Sequence, residues 1–276
     1  DPHLYEPTPG DVRKCREASV IFKNGLTFEG WLQKLIDNSG TSAEVYTVTR
    51  GVVAISSEQY ANASDPHAWM TAANGLLYCQ NIRDAMIEMF PDRADEFRNN
   101  YDQYSKQIEE LDQYITSRIA SIPEDRRILI TSHDAFQYYG RRYKIQLESV
   151  LGTSTDSDVQ TSDVQHLHEI IRTSSVPAVF IESTINPRLI SQIAADNNIS
   201  VGGKLYADSL GDPDGPAGSY LKMLRYNTDV IYEALTADYD PDEVITGPTT
   251  NWLWGLLLAP IGLAIIVFLL RVITNK

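Results

Sequence analysis

Three histidines and one aspartate stand at loop positions from which they could hold a divalent metal ion. The tripeptide Asp-Pro-His occurs twice and supplies His3 and His67, on loops that proline stiffens and in which the aspartate can reach the imidazole ring. His133 follows a predicted strand directly, and Asp208 follows another within three residues. Because ligands collect outside the carboxyl ends of strands in open α/β sheets, this pattern favours one shared site.

Three imidazoles and one carboxylate complete a tetrahedral donor set for a borderline divalent cation. Zinc is the default ion for such a set, and Mn²⁺ or Fe²⁺ also fits if the carboxylate of Asp208 binds through both oxygens. No position remains for a reactive water, which favours capture of the ion over hydrolysis. His166 and His168 lie two residues apart on a predicted helix, point in different directions and receive no metal role.

Charge and cysteine content exclude several classes of protein. The 276 residues include 37 acidic and 23 basic side chains, and the formal net charge is −14. A nucleic-acid partner is excluded because phosphate binding needs a basic face. Cys15 and Cys79 are too few for a disulfide-rich scaffold, and both fall at apolar positions of predicted helices, which favours buried thiols over a disulfide.

The elements that position these residues alternate in type along the chain. Short apolar runs followed by helical stretches indicate an α/β fold with mostly parallel sheets. The six predicted strands cover residues 18–23, 44–49, 127–131, 144–149, 178–182 and 199–205.

One helical pattern is much longer than the others. From residue 91 to residue 122 there is no internal Gly or Pro, and apolar side chains recur every three or four residues. Such a helix is about 45 Å long at ~1.5 Å per residue and would join two lobes. The predicted organisation is an N-terminal metal-binding lobe (1–90), the interlobe helix (91–122), a C-terminal metal-binding lobe (123–237), a tether (238–251) and a transmembrane helix (252–271).

The predicted transmembrane helix rests on an uncharged apolar run. Residues 252–270 read WLWGLLLAPIGLAIIVFLL, and a helix of that length spans about 28 Å, close to the hydrocarbon thickness of a bilayer. Tryptophans suit one interface, and Arg271 and Lys276 suit the other. The positive-inside bias then puts residues 1–251 outside the cytoplasm, in the periplasm or at the cell surface, and the C-terminus inside.

Five motifs, in this order, carry a resemblance over residues 1–237. DPHLYEPTPGDV, DPHAW, TSHDAFQYY, IESTINPR and GGKLYADSLGD resemble motifs of the cluster A-I solute-binding proteins of ABC importers for zinc and manganese. The resemblance implies two α/β lobes joined by one long helix, with the metal in the cleft between them. It also implies that His3, His67, His133 and Asp208 are the ligands, and that the ion passes to an ABC permease. Histidine at the third position resembles members that bind zinc or both metals.

Two departures from the family and two alternatives accompany this prediction. Members begin with a strand and a helix ahead of the first motif, so we expect the first lobe to lack its opening strand, and members usually have no C-terminal span. The first alternative is a zinc-dependent hydrolase in which three histidines hold the metal and Asp208 acts as base on a bound water. The second is a metal-binding adhesin or sensor.

Overall fold

Strands and helices alternate in the order that the sequence predicts. The computed structural model describes residues 2–56, 64–153 and 159–238, which belong to one compact unit. In the N-terminal half the elements are α1 (Pro9–Glu17), β1 (Val20–Lys23), α2 (Leu32–Ser39), β2 (Glu44–Thr47) and α3 (Ala72–Met89).

The long helix α4 (Ala94–Ala120) separates this half from the remaining elements. In the C-terminal half these are β3 (Ile128–Thr131), α5 (Gln137–Tyr143), β4 (Gln146–Ser149), α6 (Thr161–Thr173), β5 (Ala178–Glu182), α7 (Arg188–Asp196), β6 (Ser200–Leu205) and α8 (Tyr220–Thr236).

The six strands form three parallel pairs, which confirms the predicted α/β class with parallel sheets. β1 pairs with β2, β3 with β4, and β5 with β6, the last pair with a register shift between Val179 and Phe180. One helix crosses over within each pair, as parallel strands require. β3 also lies beside β5, so their carboxyl ends are neighbours.

Helix α4 is slightly shorter than predicted. The predicted helix over residues 91–122 begins with a 3-10 turn at Pro91–Arg93 and continues as the α-helix Ala94–Ala120. At ~1.5 Å per residue this helix is about 40 Å long. Its buried residues follow the predicted spacing of three and four, and they are Ile108, Leu111, Ile115 and Ile119. Helix α4 packs against both α3 and α8 and therefore contacts both halves.

The buried core lies mainly in the C-terminal half and continues across α4. A single apolar cluster runs from Met70 to Leu235, and a smaller one contains Ile55, Ala68 and Tyr138. Both cysteines are free thiols, as expected, with Cys15 buried and Cys79 half-buried. A core of this extent holds the loops at the strand ends in fixed positions.

The predicted C-terminal membrane helix finds no support in the structure. Among the described residues no helix is both long enough and apolar enough to cross a bilayer. The predicted span, residues 252–271, and nearly all of the tether that precedes it lie outside those residues.

Truncation of Ile115 tests how strongly α4 is anchored in the core. Ile115 is fully buried, so Ile115→Ala removes apolar contacts and leaves a cavity, and we expect a loss of about 2–5 kcal/mol of unfolding free energy. Ile82 on α3 is 36% exposed, and Ile82→Ala should cost less than about 1 kcal/mol. Urea unfolding of the metal-free chain measures both, and equal losses would contradict this account of the core.

Candidate metal centre

Four side chains from distant parts of the sequence converge on one point. His3 lies in the segment before α1, and His67 is the residue that begins the 3-10 turn Ala68–Met70. His133 follows β3, and Asp208 follows β6. One possible ligand atom from each of the four lies within 4.8 Å of all the others. The side chains of His67, His133 and Asp208 are fully buried, and that of His3 is 7% exposed.

Four distances between donor atoms lie between 3.2 and 3.7 Å. His3 Nε2 lies 3.2 Å from His67 Nε2 and 3.7 Å from Asp208 Oδ2. Asp208 Oδ1 lies 3.4 Å from His67 Nε2, and Asp208 Oδ2 lies 3.2 Å from His133 Nε2. A tetrahedral ion with bonds of ~2.0–2.1 Å has donor atoms about 3.3 Å apart. These four separations are close to that value, and all four donors lie within 4.8 Å of one another.

The Asp65 carboxylate orients the His67 ring. Asp65 Oδ1 accepts a hydrogen bond from the His67 backbone N–H at 2.9 Å and lies 2.7 Å from His67 Nδ1. Because a carboxylate only accepts hydrogen bonds, Nδ1 carries the proton and the lone pair of Nε2 points toward the cluster. The Asp-Pro-His spacing predicts this contact.

Glu182 plays the same part for His133. It is the last residue of β5, and its Oε1 accepts a hydrogen bond from the His133 backbone N–H at 2.9 Å. Its Oε2 lies 2.6 Å from His133 Nδ1 as a close ion-pair contact, and His133 Nε2 on the other side of the ring faces Asp208 Oδ2 at 3.2 Å. Sequence reasoning missed this residue, although Glu182 is the one charged side chain in the strand AVFIE.

Carboxylates dominate the electrostatics of the cluster. Burial alone would lower the pKa of His133, but the charges of Glu182 and Asp208 outweigh that effect and raise the pKa. Burial would raise the pKa of Asp208, whereas the facing imidazoles lower it. Burial, with a contribution from Asp65, raises the pKa of the neighbouring Asp134 to about 6. The negative charge near three imidazoles attracts a cation.

Both oxygens of Asp208 are buried and accept no hydrogen bond of good geometry from the described residues. A buried carboxylate without donors is costly unless a cation or a proton stands against it. The two histidines outside the cluster each have a polar partner away from it. His166 is 59% exposed beside Glu148, and His168 Nδ1 lies 2.6 Å from Asn197 Nδ2.

Aromatic side chains that sequence reasoning did not single out enclose one side of the cluster. The Phe28 ring lies 5.2 Å from the His3 ring and 5.0 Å from the Trp69 ring, measured between centroids. Trp69 in turn lies 5.3 Å from His67. These rings place apolar surface beside the imidazoles, and charge interactions are stronger in apolar surroundings than in water.

Comparison with known proteins places this arrangement in a class. The family described as ZnuA, zinc-uptake complex component A, periplasmic, matches residues 1–234. The metal ABC transporter substrate-binding lipoprotein FimA of Streptococcus parasanguinis is 32% identical over 244 residues, which are 86% of this chain and 79% of the relative. The manganese-binding lipoprotein MntA of Halalkalibacterium halodurans is 29% identical, over 86% of this chain and 78% of the relative.

Solved structures agree with the sequence relatives. The periplasmic zinc-binding protein TroA of Treponema pallidum superposes with a TM-score of 0.80 at 31% identity, over 86% of this chain and 88% of that one. The Mn-bound periplasmic metal-binding protein of Candidatus Liberibacter asiaticus superposes with a TM-score of 0.77 at 30% identity, over 85% of this chain and 87% of that one.

The fold and the family define an extracytoplasmic substrate-binding protein of a metal ABC importer. The chain belongs to the ZnuA family, because the family match covers most of its length. Its members are binding components and not enzymes, so the transport prediction is confirmed and the hydrolase and adhesin alternatives are not favoured.

Removal of the Glu182 charge tests the electrostatics of His133. In Glu182→Gln the carboxylate that raises the pKa of His133 is gone, so we expect that pKa to fall. NMR titration of the histidine rings in the metal-free chain measures the change. Glu148→Gln, which removes the carboxylate beside His166, is the matched control and should leave His133 unaltered. A His133 pKa that is the same in both variants would contradict this assignment.

Proposed function

We propose that the chain captures one Zn²⁺ or Mn²⁺ ion with His3, His67, His133 and Asp208 and delivers it to the permease of its importer. The observation that carries the proposal is the convergence of four donor atoms within 4.8 Å, in a pocket of buried side chains. Two carboxylates, Asp65 and Glu182, hold two of the imidazoles with Nε2 toward the common point. Outer carboxylates of this kind fix the ring orientation in metal sites.

The donor set supports zinc and accommodates manganese. Three nitrogens and one oxygen suit Zn²⁺, and Mn²⁺ is accepted when both Asp208 oxygens bind. The names of the relatives span both ions, since TroA is titled a zinc-binding protein and MntA a manganese-binding lipoprotein. By the general order of divalent affinities, we expect Zn²⁺ to bind more tightly than Mn²⁺.

The proposed organisation is two lobes, residues 1–90 and 123–237, on either side of the interlobe helix 91–122. Each lobe supplies two donors, with His3 and His67 from the first and His133 and Asp208 from the second. The stiffness of the long helix argues for release by movement of the ligand loops and not by wide separation of the lobes.

Substitution of His67 tests the site directly. His67→Ala removes one of four donors, and we expect Zn²⁺ affinity to fall by at least about 100-fold, with Mn²⁺ retention lost. His166→Ala is the matched control, because His166 is exposed and lies outside the cluster. Calorimetric titration with each ion and elemental analysis of protein purified without added metal are the measurements.

Two results would refute the proposed site. One is Zn²⁺ binding by His67→Ala with the affinity of the unaltered chain. The other is an unaltered chain that carries no stoichiometric metal and takes up none. Loss of binding in the control His166→Ala as well would show that the effect of His67→Ala is not specific to the proposed site.

Membrane anchoring through residues 252–271 is a separate proposal that rests on sequence alone. These residues carry no charge before Arg271, and the curated relatives are named lipoproteins, so attachment to the membrane fits the function. We expect the full chain to stay with membranes after an alkaline carbonate wash, and a chain ending at Asp238 to be released with its metal binding intact. Release of the full chain would contradict anchoring.

A further inference from the structure

We propose that Trp69 is a positioning residue that fastens the loop of Asp208 to the loop of His67 and thereby sets how long a bound ion stays. The inference rests on the proposed metal site. Trp69 lies two residues after His67 and is half-buried, and it is not itself a candidate ligand.

The contact that carries the inference is one hydrogen bond between distant parts of the chain. The indole Nε1–H of Trp69 donates to the backbone carbonyl of Ala207 at 2.8 Å. Ala207 is 2% exposed and directly precedes Asp208. The bond therefore joins Ala207, which precedes the proposed ligand Asp208, to Trp69, which lies two residues after the proposed ligand His67.

The position of the Asp208 carboxylate depends on its backbone. Neither oxygen accepts a hydrogen bond of good geometry from the described residues, and the nearest polar side chains are the imidazoles, with nitrogens 3.2–3.7 Å away. The flanking residues are fixed instead. Asn227 on α8 binds the N–H and the C=O of Tyr206, and Ser209 Oγ lies 2.8 Å from Ser183 Oγ. Those partners belong to the C-terminal half, whereas Trp69 belongs to the N-terminal half and adds a restraint from there.

Trp69 is itself held firmly enough to act as an anchor. The Tyr220 hydroxyl donates toward two backbone carbonyls, that of Trp69 at 2.8 Å and that of Thr71 at 3.0 Å. The indole ring packs at an angle on Phe28 and on His67. An anchored indole transmits its position to the Asp208 loop through a single directional bond.

Loss of this bond would loosen one donor and leave the rest of the cluster in place. The Ala207 carbonyl would be buried without its donor, and the loop would relax toward a new partner. Because productive metal–ligand distances tolerate only about ±0.2 Å, a small shift of Asp208 weakens its bond to the ion. Changes to outer contacts of this kind lower metal affinity by about 10–100-fold.

The test is Trp69→Phe, which keeps an aromatic ring and removes the N–H. Trp31→Phe is the matched control, because Trp31 Nε1 is buried with no hydrogen-bond partner among the described residues. We expect the Zn²⁺ dissociation constant of Trp69→Phe to rise about 10–100-fold, mainly through faster dissociation in a chelator chase. Trp31→Phe should stay within about twofold of the unaltered chain, and equal behaviour of the two variants would overturn the proposal.

A double-mutant cycle separates positioning from general destabilisation. If Trp69 acts through Asp208, then Trp69→Phe has no further effect on the residual Zn²⁺ affinity of Asp208→Ala. An undiminished effect in that background would overturn the proposal. If the proposed metal site were wrong, the result would differ. The unaltered chain and His67→Ala would then bind Zn²⁺ with the same affinity.

A measurement on the unaltered chain covers the case in which Trp69→Phe does not fold. In ¹⁵N-tryptophan-labelled protein, the Trp69 indole signal is recognised by its contacts with the Phe28 ring. We expect its proton to exchange slowly with water both without and with Zn²⁺, because the bond to Ala207 precedes metal binding. Rapid exchange in the metal-free chain would overturn the proposal.

Discussion

The structure depends on the unfavourable burial of a carboxylate whose oxygens accept no hydrogen bond of good geometry from the described residues. Asp208 lies with both oxygens inside the protein, against the Nε2 atoms of three imidazoles. A proton on one imidazole relieves part of this cost in the metal-free chain, since the pKa of His133 is raised. A divalent cation relieves it more fully, because it satisfies the carboxylate and the three imidazoles together.

The surrounding contacts hold the members of this cluster in place. Asp65 and Glu182 engage the Nδ1 atoms of two imidazoles and so direct their Nε2 atoms inward. The backbone on both sides of Asp208 is tied to Trp69, Ser183 and Asn227 through the residues next to it. The donors thus stay near one another, and less reorganisation remains when an ion enters.

The pairing of the strands positions the residues that make these contacts. Parallel pairing of β3 with β4 and of β5 with β6, together with the contact between β3 and β5, brings the carboxyl ends of three strands to one edge. His133, Glu182 and Asp208 stand at or just beyond those ends. The loop with His67 is fixed against that edge by hydrogen bonds from tyrosines of the C-terminal half, of which Tyr138 reaches the Asp65 carbonyl. Membership of the ZnuA family agrees with this arrangement.

The sequence by itself determined the order of elements, the parallel α/β class and the long helix, because hydrophobic periodicity and proline positions act locally. It also determined which four residues to examine, since the Asp-Pro-His repeats and the strand ends carry that information in short motifs. Only the tertiary structure decided that their donor atoms meet within 4.8 Å of one another. It also revealed Glu182 and Trp69, whose roles depend on partners 49 and 138 residues away, a separation at which no local pattern specifies a contact.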